Sequence, residues 1–213
     1  KYAGWILAHR LLVSVGILGI TVFLITRLGK LEIDSNPKLW APQKHVYVET
    51  TDLLEELFGG RNLTVIGIVP KSGDIYQPAV LAKIKRIQER LELIPYAVRH
   101  NILSFAARKV KQVKGGPDGM EVRPMLETIP QTPEEIAALR QAVASMPIYH
   151  NALVSPDGKA AAIVADFKQD ATVPNYIVMM SQVREIAAAE RDDIVDIYLG
   201  GLPIIGEAAD RQF

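Results

Sequence analysis

The chain has 213 residues, 24 of them basic and 24 acidic, and 49% of its residues are hydrophobic, enough for a sizeable core. It has no cysteine, which excludes disulfides and thiol chemistry. Lys1, Arg10, Arg27 and Lys30 fall in the first 31 residues without an acid, so residues 32–213 are mildly acidic at a net −4 and lack the basic stripe that nucleic acid demands.

Residues 11–26, LLVSVGILGITVFLIT, are sixteen uncharged and mostly apolar positions between Arg10 and Arg27. At ~1.5 Å per residue they extend roughly 24 Å, a little short of the ~30 Å hydrocarbon core of a bilayer. The flanks supply the rest. Residues 3–8 are apolar, Trp5 suits an interfacial belt, and both arginines can snorkel. A secretory signal would end in a small-x-small cleavage site, whereas this run ends Thr26-Arg27-Leu28-Gly29-Lys30. A core helix would show a polar face, and here only Ser14, Thr21 and glycines interrupt the apolar surface. Residues 1–28 are therefore read as a membrane-spanning helix. Lys1, His9 and Arg10 ahead of it tilt the orientation toward a cytoplasmic start. Lys1 is not an initiator methionine and a helix-like run reaches Phe213, so the chain is expected to be a piece of something longer.

Beyond the span, Leu31 and Ile33 alternate with charged residues in the period of a half-buried strand over 28–34, closed by Ser35-Asn36-Pro37. Residues 45–58 read as a helix with Val46, Thr50, Leu53, Leu54, Leu57 and Phe58 on one face, stopped by Gly59-Gly60. Residues 63–69, LTVIGIV, read as a strand covered on both faces or at least central in its sheet. Residues 80–94 carry the clearest helical stripe, Val80, Ile84, Ile87, Leu91 and Ile94, ended by Pro95. Residues 96–105 read as a strand. Residues 106–131 have no clean period. Three lysines lead there into Gly115-Gly116-Pro117-Asp118-Gly119, a loop or hairpin tip and a solvated face. Thr132-Pro133-Glu134-Glu135 has the form of a capping box with proline at the first helical position. Ile136, Leu139, Val143 and Met146 supply that helix's buried face. A hairpin comes next, 148–155 and 159–167 around Pro156-Asp157-Gly158. A helix is expected at 173–189, a strand at 192–199, and a last helix from 204. Alternating strands and helices of this kind give an α+β fold in which helices pack on one face of a sheet.

Chemical motifs are mostly absent. His9, His45, His100 and His150 have no metal-ligand spacing, and no G-x-S-x-G, H-E-x-x-H, C-x-x-C or phosphate-binding loop is present. The pairs Glu55-Glu56, Glu134-Glu135 and Asp192-Asp193 are adjacent residues that point apart on a helix. No catalytic residue, metal or cofactor is expected, and no enzyme. Trp40, Phe105, Met120, Met125, Met146 and Tyr149 sit at loops or element ends, where flexible methionines and aromatics suit an apolar cleft of varied shape. Ordinary core packing is the competing reading for each. Trp40, Phe105, Met125, Met146 and Tyr149 are the substrate-path candidates.

The span, the Asn36-Pro37…Trp40-Ala41-Pro42 loop, the helix ending Glu56-Leu57-Phe58-Gly59-Gly60, the Asn62-Leu63-Thr64-Val65 strand, Gly73-Asp74-Ile75-Tyr76-Gln77-Pro78, Leu93-Ile94-Pro95, and Leu199-Gly200-Gly201-Leu202-Pro203-Ile204-Ile205 together resemble one family. It is the resistance–nodulation–division (RND) superfamily, on the side of its MmpL-like and hopanoid-exporting lipid transporters. Residues 106–131 match no part of that pattern. The resemblance implies ferredoxin-like β-α-β porter subdomains over 29–201, with 106–131 as an insertion and 202–213 beginning a helix toward a second span. It implies a proton-motive-force-driven transporter of the bacterial inner membrane that moves sterol, hopanoid or similar hydrophobic cargo through a periplasmic porter domain. The implied partners are the rest of the same transporter with its second porter domain, the lipid substrate and the bilayer. A periplasmic carrier or adaptor protein and further copies of the chain are also candidates. The proton-carrying aspartates of that family lie in later spans, so no residue here inherits that role. The alternative is a single-span, membrane-tethered periplasmic binding or sensor module. Further spans beyond Phe213 would favour the transporter, and a stop or a cytoplasmic domain there would favour the module.

Overall fold

A computed structural model describes residues 5, 8–28, 42, 44–60, 62–116, 119–147, 149, 151–168 and 176–211. The chain divides into two compact units, Lys1–Asp34 and Ser35–Phe213. Residues 29–34 of the expected first strand, the Asn36-Pro37 turn and Trp40 lie outside the described residues.

The first unit is built on helix α1, Arg10–Leu28. Its segment Arg10–Arg27 is long and apolar enough to cross a membrane, and none of it is buried against protein. The polar groups it carries turn back on its own backbone. Thr21 Oγ1 donates to the Ile17 carbonyl at 2.9 Å and Thr26 Oγ1 to the Phe23 carbonyl at 2.7 Å. A helix in hydrocarbon must satisfy its hydroxyls in this way, because no water is there to do it.

The second unit is α+β. Strand β1 (Leu63–Pro70) lies between β4 (Ala161–Asp166) and β5 (Val195–Gly201), antiparallel to both. The expected central place of LTVIGIV is thus observed, with dense cover on one face only. Thr64, Ile66 and Ile68 are buried, whereas Leu63 and Val65 on the other face are each 38% exposed. Helix α3 (Pro78–Leu91) and helix α5 (Tyr176–Glu190) supply the covering layer. Val80, Ile84, Ile87 and Leu91 of the sequence stripe are fully buried, and Ile94 follows just past the helix end. Each such side chain is worth ~1.5–3 kcal/mol relative to exposure.

An ionic clamp ties α3 to the end of α5. Arg86 donates to both Glu190 carboxylate oxygens, at 3.0 and 2.7 Å. Lys83 Nζ lies 2.9 Å from Asp192 and donates to the Glu190 carbonyl at 2.9 Å. The Arg86 guanidinium holds the Glu190 carboxyl below the usual range against the opposing effect of burial, and Lys83 does the same for Asp192.

Helix α2 (Val46–Phe58) begins at a His45 cap and ends at Gly59, whose φ of +69° suits glycine. After it, Asp166 Oδ2 accepts from the Gly60 N–H and from Asn101 Nδ2, both at 2.7 Å, and Asn101 also donates to the Phe58 carbonyl at 3.0 Å. The same knot reshapes residues 96–105. Only Ala97 and Leu103 bridge to the sheet, opposite Phe167 and Val164, where a continuous strand was expected. Arg99–Asn101 forms a 3-10 turn between them, because the Asn101 side chain is drawn to Asp166 and the α2 end.

Residues 106–131 contain a hairpin, β2 (Lys111–Gly116) with β3 (Gly119–Pro124). Helix α4 (Pro133–Ala144) carries the expected capping box, Thr132 with Glu135, and Pro133 in its first turn. In the hairpin around Pro156-Asp157-Gly158 the first arm is shorter than expected. It pairs only through Val154 opposite Ala161, because the chain turns at Asn151 with φ +72°. Helix α6 (Leu202–Asp210) closes the unit. Its Glu207 is fully buried between Arg184, at 2.5 Å, and Arg211, at 2.9 Å.

Candidate functional site

A cleft of about 260 Å³ with a partly apolar lining lies between the base of the hairpin and α4. Its position follows from local chemistry. Pro124 ends β3, and the Met125 N–H donates to the Val110 carbonyl at 2.8 Å, closing the hairpin base. Val110, Met125 and Leu126 are buried there and anchor the ribbon to the core. The chain then turns through Thr128 and Pro130 into the capped start of α4, which brings Ala138 and Leu139 opposite Met125 and Leu126.

Polar groups rim this cleft, and several are already engaged. Glu135 Oε2 accepts the backbone N–H of Gln131 at 2.7 Å and of Thr132 at 3.3 Å. Those donors hold its carboxyl below the ordinary range, so it serves as a helix cap and not as an acid. Arg123 is paired with Glu121 across 2.5 Å. Gln112, Glu127 and Thr128 complete the rim. This arrangement offers an apolar floor with polar groups at the mouth. Its volume is just under the ~300 Å³ lower end of small-molecule sites. Among the described residues no group of three or more His, Cys, Asp or Glu is placed to hold a metal ion.

On the other side of Pro124, Leu126 and Glu127 lies a wider recess of about 590 Å³ with a charged rim of Lys85, Glu89, Glu92 and Arg108. Lys85 Nζ donates to the Glu127 carbonyl at 2.9 Å and so tethers α3 to the wall between the two. At its wall Gln88 Nε2 donates to Glu92 at 2.8 Å, and Gln88 Oε1 accepts from the buried Ser104 Oγ at 2.7 Å behind it. These polar groups are satisfied by one another.

The sequence candidates are not gathered in one place. Met125 lines the cleft and is 3% exposed. Phe105 is fully buried in the main core, Met146 and Tyr149 pack half-buried against it, and Met120 is on the exposed hairpin. Trp40 is outside the described residues. The other apolar walls, Leu126, Pro130, Ala138 and Leu139, are ordinary core-type residues. Leu139 belongs to the helix stripe read from the sequence, but nothing in the spacing of Leu126, Pro130 and Ala138 sets them apart, because the hairpin fold brings them together. The alternation of Val113, Met120 and Val122 around a glycine-rich turn is the one signal that could have found the ribbon.

No protein-family model matches the chain, and no curated protein matches it. The site therefore rests on its own geometry.

Proposed function

We propose that this chain is the first span and first extracytoplasmic porter region of an RND-type inner-membrane transporter for lipid-like cargo. The observation that carries the reading is the joining of α1, an unburied apolar helix of spanning length, to an α+β unit with the strand order β5-β1-β4. Leu103 bridges Val164 on the side of β4 away from β1. Taken as a vestigial second strand, it completes the order of a ferredoxin-like β-α-β-β-α-β unit, with α3 and α5 as its two helices. The half-open apolar face of the sheet, Leu63, Val65 and Tyr198, then offers the surface for the second porter domain.

Met125, Leu126, Ala138 and Leu139 are the part of the cleft that would meet cargo. A ligand burying about 100 Å² of apolar surface there, counted over both partners, gains ~2.5 kcal/mol before association costs. Such a site holds an acyl or ring segment weakly enough to pass it on. The domain would lie in the periplasm, with protons carried by spans outside this chain.

The test is photolabelling of the full chain in nanodiscs with diazirine-bearing sterol and phospholipid, followed by peptide mass spectrometry. Adducts are expected within residues 124–139 as well as on α1, and Ala138→Trp, which fills the cleft, should remove the former alone. Labelling confined to α1, with every lipid class tried, would overturn the reading.

A further inference from the structure

We infer that the charged recess between α3 and the base of the hairpin binds a zwitterion, a primary ammonium and an oxyanion a few bonds apart. The inference does not depend on the transport reading. The recess measures about 590 Å³, within the range of small-molecule sites. Lys85, Gln88, Glu89 and Glu92 stand at i, i+3, i+4 and i+7, so one face of α3 forms a wall. Arg108 and Glu127 come from the segments that flank the hairpin, just before β2 and just after β3. Ala106, Pro124 and Leu126 supply the apolar part of the lining.

Five ionisable side chains of both signs thus line one recess, and among the described residues none is ion-paired with another. Two are held by neighbours. Lys85 Nζ is drawn to the Glu127 carbonyl, and Glu92 to the Gln88 amide. Lys109 is within electrostatic reach of Glu92, but its ammonium is tied to the His100 carbonyl. The Arg108 guanidinium and the Glu89 and Glu127 carboxylates have no hydrogen bond or ion pair among the described residues. The buried side of the wall adds a fixed donor. Gln88 is 2% exposed, and the fully buried Ser104 orients its amide by donating to Oε1. Two N–H donors remain on Nε2, and the Glu92 bond uses one. The other has no partner among the described residues, a costly state for a buried amide that lacks an acceptor.

The mixture of signs selects the ligand. A simple anion at Lys85 and Arg108 meets three carboxylates in the same recess, and a simple cation meets two bases. Among the described residues the carboxylates are not placed to share a metal ion. A ligand carrying both charges answers both sets. Its oxyanion takes Arg108, the remaining Lys85 N–H groups and the spare Gln88 N–H, and its ammonium takes the glutamates, each through charge-assisted bonds. A short methylene spacer suits the apolar part of the lining. Free amino-phosphates, amino acids and an aminophospholipid headgroup share this chemistry.

The test is calorimetric titration of the full chain, in phosphatidylglycerol nanodiscs, with O-phosphoethanolamine, ethanolamine and inorganic phosphate. O-phosphoethanolamine is expected to bind saturably and at least about tenfold tighter than either half. Arg108→Gln should weaken it severalfold without weakening ethanolamine. Glu89→Gln with Glu127→Gln should weaken it severalfold without weakening phosphate. These side chains make no bond that the fold uses, and Lys159→Gln, on an exposed turn, should change nothing. Nanodiscs containing phosphatidylethanolamine separate the sources. A lipid headgroup in the recess lowers the apparent affinity for the free zwitterion, whereas equal affinities in both discs assign the site to a soluble ligand. No saturation by about 20 mM, equal affinity for the zwitterion and its halves, or an affinity indifferent to both sets of substitutions would each overturn the inference.

Discussion

Glu207 is a fully buried carboxylate between two arginines that are themselves 41% and 54% exposed. The asymmetry decides what each substitution does. Removing Glu207 leaves cations that water can reach, whereas removing Arg184 leaves a buried anion with half its compensation. Arg184→Ala should therefore cost ~2–3 kcal/mol and Glu207→Gln less, read from urea unfolding of the full chain in detergent. Equal losses would contradict this. Gly201 has φ +111°, and a Cβ there would run into the Leu63 carbonyl oxygen of the paired strand. Gly201→Ala is expected to cost about 2 kcal/mol or more, and a variant melting like the parent would refute the geometry. Glu190 and Asp192 both titrate below their ordinary values in the folded chain. Their stabilising effect is complete above the unfolded carboxylate range, about pH 4, and is lost as the pH falls through the lower folded values. Between pH 7 and 3 the melting temperature should drop, and Glu190→Gln should lower the neutral-pH value while flattening the acid limb. An acid limb unchanged in that variant would assign the loss to other groups.

At the scale of elements, helix α3 is the strut on which the sheet is covered. Ile87 is fully buried in its stripe, so Ile87→Asp should destabilise by several kcal/mol or force its carboxyl to remain protonated. Thermal melts of that variant matching the parent would mean that α3 does not pack as described. This helix was legible in the sequence because its apolar stripe and the closing Pro95 are local signals. The Thr132–Glu135 capping box was legible for the same reason. Residues 96–105 were not, since the bonds that turn Arg99–Asn101 out of the sheet come from Asp166 and from the end of α2, far along the chain. The apolar stripe of α2 was legible as a face, but a face does not say whether its partner lies in the same molecule. The cleft was the least legible feature. Met125 could be singled out for its flexibility, while Leu126, Ala138 and Leu139 become neighbours of it only once the hairpin base closes at Val110.

For the whole molecule, the chain joins an unburied apolar helix to an α+β unit whose cleft has an apolar floor and a polar rim. The proposed transport role requires that this unit lie outside the membrane. The most direct measurement is therefore topological. A single cysteine at Lys159, on the exposed turn before β4, is introduced into the cysteine-free full chain and treated with a membrane-impermeant maleimide in intact bacterial spheroplasts. Full labelling is expected before lysis, with the protein retained in the membrane through an alkaline carbonate wash. Labelling only after lysis, or release of the chain by the wash, would contradict the transport role.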